Sequence, residues 1–108
     1  MDEGFVYLLV DLNEHYKIGI TTGDINKRIK SLQTGSSGEL VLINKHKSKH
    51  FRKIEGSLHR KYHHLSTDGG KEWFSLPPDI VLNFKNECQK LDEIFDMLIK
   101  AKNPFITF

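Results

Sequence analysis

The sequence predicts an α+β fold: a small antiparallel β-sheet of about three strands, flanked by helices. Two features carry that expectation. Short apolar runs rich in β-branched and aromatic residues, divided by turn residues, fill the first part of the chain. Apolar residues recurring every three or four positions dominate the rest. With 38% hydrophobic and 28% charged residues, the composition is that of a globular chain and excludes a disordered or fibrous one. Its 108 residues read as a single domain spanning 1–108, without room for a second lobe.

Taken in order, residues 5–10 read as a strand, Asp11-Leu12-Asn13-Glu14-His15 as a turn, and residues 16–21 as a second strand. Pairing Val10 with Tyr16 puts Leu9 opposite Lys17 and Tyr7 opposite Gly19, so these four side-chain positions share one face. The missing side chain of Gly19 leaves space over Tyr7. Asp24 caps a helix over 25–33, stopped by Gly35, with Ile25, Ile29 and Leu32 as its apolar stripe and Arg28 on that stripe. A third strand is expected over 38–43, followed by a basic stretch from Lys45 to Lys49. A helix then runs from near 48 to about 64 on Phe51, Ile54 and Leu58, with Glu55 inside its apolar stripe. Residues 66–70 read as a loop, and Trp73 and Phe74 belong to a short aromatic segment, an edge strand. Pro77-Pro78 opens one amphipathic helix over about 78–102, whose stripe from Phe84 to Ile99 completes the core or builds a homodimer.

Several function classes fall away. No run of about 18 apolar residues offers a membrane span. The single cysteine, Cys88, can form neither an internal disulfide nor a cysteine-rich zinc site, and its place in an apolar stripe marks it as a buried thiol. The acidic start Met1-Asp2-Glu3-Gly4 is unlike an export signal, so an intracellular setting is expected. Phosphate-binding glycine loops, the HExxH pattern and EF-hand loops are absent from the sequence.

The net charge of +2 conceals an uneven distribution. Residues 41–70 carry 7 Lys/Arg against 2 Asp/Glu, together with five of the six histidines, whereas residues 1–40 carry 4 against 6 and residues 71–108 carry 5 against 6. A basic middle with acidic flanks favours a polyanionic partner, unless it is simply a solvated face. The candidate phosphate contacts are Lys45, Lys47, Lys49, Arg52 and Lys53, with His46 and His50 among them.

Four side chains form the candidate chemical constellation: Tyr7, Lys17, Arg28 and Glu55. Each has a structural reading as well. Tyr7 suits a core aromatic, Lys17 a surface lysine, and Arg28 with Glu55 a buried salt bridge. Together they suit phosphodiester hydrolysis: a desolvated carboxylate ligates Mg²⁺, two cations offset charge developing at phosphorus, and a tyrosine orients or deprotonates water.

Phe5-Val6-Tyr7-Leu8-Leu9, Tyr16-Lys17-Ile18-Gly19-Ile20-Thr21, Arg28 and Glu55-Gly56-Ser57-Leu58-His59 resemble, in order and spacing, the GIY-YIG nuclease superfamily. Glu72-Trp73-Phe74 resembles a block of its phage-type branch, in which KIG replaces YIG. The resemblance covers about residues 4–82. It implies a metal-dependent DNA endonuclease with one Mg²⁺ or Mn²⁺ held by Glu55, Tyr7 as general base or water-positioner, Arg28 on the pentacovalent phosphorus, and Lys17 holding Tyr7 or the phosphate. His59, one turn after Glu55, touches DNA or metal, or serves the fold. Phe5 stands where the superfamily has its first glycine, and Tyr16 is one position early for the YIG tyrosine and on the wrong strand face. A DNA-binding or regulatory protein on the same fold, without catalysis, is the alternative.

Overall fold

Two apolar runs joined by a five-residue loop build the hairpin that carries the rest of the structure. The computed structural model describes residues 3–36, 38–67 and 72–102. Strand β1 (Gly4–Val10) pairs antiparallel with β2 (Tyr16–Thr21) in the expected register, Tyr7 opposite Gly19, Leu9 opposite Lys17 and Val10 opposite Tyr16. The Asp11 carboxylate closes the loop by accepting from the backbone N–H groups of Asn13 and His15, each at 2.9 Å.

The sheet has four strands, in the order β3-β1-β2-β4, all antiparallel. β3 (Val41–Ser48) lies on the far side of β1, with a bulge between Leu8 and Leu9. The expected strand over 38–43 is therefore displaced: the basic stretch lies in the strand itself. The physical reason is a period-two pattern hidden in polar residues. His46 and Ser48 are buried and both engage Asp92, while Lys45 and Lys47 point away and are exposed. The short β4 (Trp73–Phe74) borders β2 at Tyr16 and Lys17 only. Most of the loop expected at 66–70 lies outside the described residues.

Helix α1 (Ile25–Thr34) begins at Asp24, whose carboxylate accepts from the N–H of Asn26 at 2.8 Å, and ends at Gly35. It covers the sheet face of Tyr7 and Leu9, where Ile25 and Leu40 complete a small core. The opposite face carries Val6, Leu8 and Ile18 and packs against α2 (Phe51–Lys61) through Phe51, Ile54 and Leu58. The helix expected from 48 to 64 is shorter, since Tyr62 ends it and residues His63–Leu65 form a separate 3₁₀ turn.

The expected helix over 78–102 is two helices, α3 (Pro78–Leu82) and α4 (Phe84–Lys102). Asn83 interrupts the run, and its side-chain oxygen accepts from Asn86 instead of facing the core. Phe84 and Cys88 are buried in the larger core, and burial pushes the Cys88 thiol up to about 12, which fits an inert core residue. In the last half of the stripe Ile94 and Leu98 are exposed, with Met97 beside them, so these residues do not complete the core of this chain. Among the described residues no helix is long and apolar enough to cross a membrane.

A candidate active site at the edge of the hairpin

Gly19 is the reason Tyr7 can reach the site. A β-carbon on Gly19 would stand 2.5 Å from the Tyr7 hydroxyl oxygen, so the phenol lies directly over the glycine backbone and crosses β2. Tyr7 is fully buried by solvent exposure. Its hydroxyl receives the Nε–H of Arg28 from α1 at 3.5 Å, a long contact. Burial raises the Tyr7 pKa above its ordinary value, and Arg28 opposes that shift. Tyr7 is thus a neutral phenol at physiological pH, with its oxygen facing a guanidinium.

Arg28 reaches inward to the buried Tyr7 hydroxyl, as its place on the α1 stripe implies, but its stem lies at the edge of that stripe and the residue as a whole is not buried. Nor does it form a salt bridge with Glu55. Glu55 is half-buried on α2, and its one ion-pair contact is His59 Nε2 at 3.9 Å. Burial is the largest influence raising the Glu55 pKa, offset by His59 and increased by Glu72.

His59 is pinned elsewhere. Its Nε2 lies 2.7 Å from the carbonyl oxygen of Ile18, a contact that requires the proton on Nε2, and its ring meets Phe74 edge-on at 5.3 Å. Of the two readings for His59, this contact is a structural one. The Glu55 carboxylate is left with no hydrogen-bond donor among the described residues.

Lys17 is buried, with Nζ 3.2 Å from Glu72 Oε1 and 5.7 Å from the centre of the Trp73 ring. Sequence reasoning named Glu72 only within Glu72-Trp73-Phe74 and gave it no role at the site, since its pairing with Lys17 follows from the docking of β4 on β2. Glu72 also adds negative potential at both Tyr7 and Glu55. Tyr16 packs with the larger core on the opposite sheet face from Tyr7, as the strand period requires.

The candidate phosphate contacts divide sharply. Cross-strand pairing puts Lys45 opposite Tyr7 and Lys47 opposite Phe5, on the site's face of the sheet, with Lys45 Nζ 5.4 Å from the Phe5 ring. Lys49 pairs with Asp96 at 3.6 Å. His46 and His50 are buried against α4 carboxylates, Asp92 and Asp96, so neither faces an outside polyanion. The His50 contact holds the Asp96 carboxyl below its usual range. Arg52 stacks on Phe51, 4.7 Å from the ring centre, and lines a cleft of about 250 Å³ with Ile20, Thr21, Thr22, Phe51 and Arg28. Lys53 points instead toward Phe95 of α4.

No group of three or more His, Cys, Asp or Glu side chains among the described residues is arranged to cage a metal. The donor set at Glu55 suits a different arrangement. Mg²⁺ keeps several waters and takes one or two protein carboxylates plus substrate phosphate oxygens. A half-buried carboxylate without a hydrogen-bond donor fits that role, and Glu55 is the residue able to fill it.

A family model described as the T5orf172 domain matches residues 4–89, the span holding every side chain of this site. T5orf172 is a domain of phage-type nuclease-like proteins. No curated protein and no solved structure matches the chain.

Proposed function

The chain belongs to the T5orf172 domain family, and from that premise we propose that it is a metal-dependent endonuclease of the GIY-YIG type, in its KIG branch, cutting phosphodiester bonds in DNA. One observation carries the reading. The Tyr7 hydroxyl accepts from the Arg28 guanidinium of α1 and lies within electrostatic reach of the half-buried Glu55 carboxylate of α2, so a strand and two helices each contribute one group around the phenol.

Glu55 would hold one Mg²⁺ or Mn²⁺, which when bound polarises a phosphate oxygen and stabilises the leaving oxygen. Arg28, beside the phenol oxygen, would offset the negative charge that grows on the phosphorane. Because the Tyr7 oxygen accepts from Arg28 and burial keeps the phenol protonated, Tyr7 positions water by hydrogen bonding; a resting tyrosinate base is the poorer fit. Lys17, held by Glu72, supplies a fixed positive charge within electrostatic reach of Glu55 instead of a mobile one. The water oxygen bonds to phosphorus, the bond from phosphorus to the 3′ oxygen breaks, and a proton passes to that oxygen.

End-group analysis of a cleaved, labelled DNA duplex tests this chemistry. The expected products are 5′-phosphate and ligatable 3′-hydroxyl ends. Ends bearing a 3′-phosphate would overturn the mechanism.

A further inference from the structure

The cleft lined by Arg28 and Arg52 has a neighbour. Arg52, Gly56 and Arg60 follow one another at intervals of four on α2, so they form one ridge along the helix. That ridge borders a second cavity of about 330 Å³, between α2 and α4, lined also by Lys53, Phe95 and Leu98. Arg52 belongs to both cavities and joins this groove to the cleft of Arg28.

We propose that this groove is a track for single-stranded nucleic acid leading to the cleavage site. Charge is the first argument. Two other cations beside α4 are matched by its carboxylates, Lys49 by Asp96 and Lys61 by Glu87. Among the described residues Arg52, Lys53 and Arg60 form no ion pair with a carboxylate, and no carboxylate lines the groove. A solvated helix face would not gather its unmatched cations around one cavity.

Shape is the second argument. A cavity of about 330 Å³ between two helices has room for a single strand and not for a duplex. Gly56 has no side chain at the middle of the ridge, and the Arg60 guanidinium folds over it, 3.3 Å from where a β-carbon would stand, where it meets a phosphate approaching α2. Eight residues of helix span about 12 Å, the axial length of roughly three to four stacked nucleotides on one strand. Phe95 and Leu98 provide the apolar wall on which an unpaired base rests. The preferred substrate is thus DNA with an unpaired segment beside the cut.

The direction of the track rests on the nuclease reading, but its occupancy is tested apart from catalysis. The full chain, in EDTA, is titrated into fluorescent oligothymidine and into a duplex of equal length, with anisotropy as readout at several salt concentrations. Circular dichroism melts check that Arg52→Gln, Arg60→Gln and Arg60→Glu remain folded. Oligothymidine is expected to bind more tightly than duplex. Each Gln variant should weaken it several-fold and lower the salt slope by about 0.7, and Arg60→Glu should weaken it further. Equal binding of duplex and single strand, or folded variants that bind like wild type, would overturn the proposal. So would polyglutamate binding that is lost in Arg60→Gln while oligothymidine binding is unchanged, since the occupant would then be an acidic protein segment. A protein that binds as expected but never cuts DNA would sink the nuclease reading alone.

Discussion

The Tyr7 hydroxyl occupies the space that a side chain at Gly19 would need, 2.5 Å from the position of its β-carbon. One residue without a side chain on β2 thereby sets the reach of one phenol on β1. Gly19→Ala is expected to drive Tyr7 out of place and lower activity about as far as Tyr7→Phe, while overpacking costs roughly 1–3 kcal/mol of stability. Parallel nicking assays and thermal melts check both. An active Gly19→Ala protein would show that the phenol position is immaterial.

Lys17 and Glu72 form a pair in which the ammonium is buried and the carboxylate half-exposed, 3.2 Å apart. Removing only the acid leaves a buried charge unmatched. Glu72→Gln should therefore lower the melting temperature, and adding Lys17→Met should restore part of the loss. A double-mutant cycle by calorimetry measures this coupling. Strict additivity of the two substitutions would contradict the pairing.

Because burial raises the Glu55 pKa above its ordinary value of 4.5, the folded protein favours the neutral acid. Ionisation of Glu55 thus works against the fold as pH rises, and Glu55→Gln should leave metal-free stability at neutral pH unchanged or increased. A cation needs the ionised form. Mn²⁺ affinity should consequently fall on acidification, starting above the usual glutamate range, in wild type but not in Glu55→Gln. Calorimetric Mn²⁺ titrations at a series of pH values measure this; identical pH profiles in the two proteins would remove Glu55 as the ligand.

The hairpin register was legible because alternation, loop length and the apolar runs all agree, and that agreement alone brings Tyr7 over Gly19. The extent of β3 was not, because its buried face is polar: His46 and Ser48 are inward for the sake of Asp92, which lies more than forty residues away in sequence. Asp92 and Asp96 also take His46, His50 and Lys49 out of the basic middle of the chain, leaving its other cations, apart from Lys61, without an α4 carboxylate among the described residues. Arg28 was legible in direction, since its place on the α1 stripe brings its Nε–H to Tyr7, but not in its exposure. Helical period gives direction around the axis but not how far a long side chain bends back to water. The Lys17–Glu72 pair and the two-arginine cleft are products of tertiary packing, visible only once β4 and α2 are in place.

The central claim, one catalytic site built on Tyr7, Arg28 and Glu55, is tested most directly by nicking of supercoiled plasmid in Mg²⁺ or Mn²⁺. Wild type is compared with Tyr7→Phe, Arg28→Ala and Glu55→Ala. The expected result is divalent-dependent nicking by wild type and a loss of at least about 10²-fold in each folded variant. Nicking at equal rates by all four proteins, or DNA binding with no nicking by any, would contradict it.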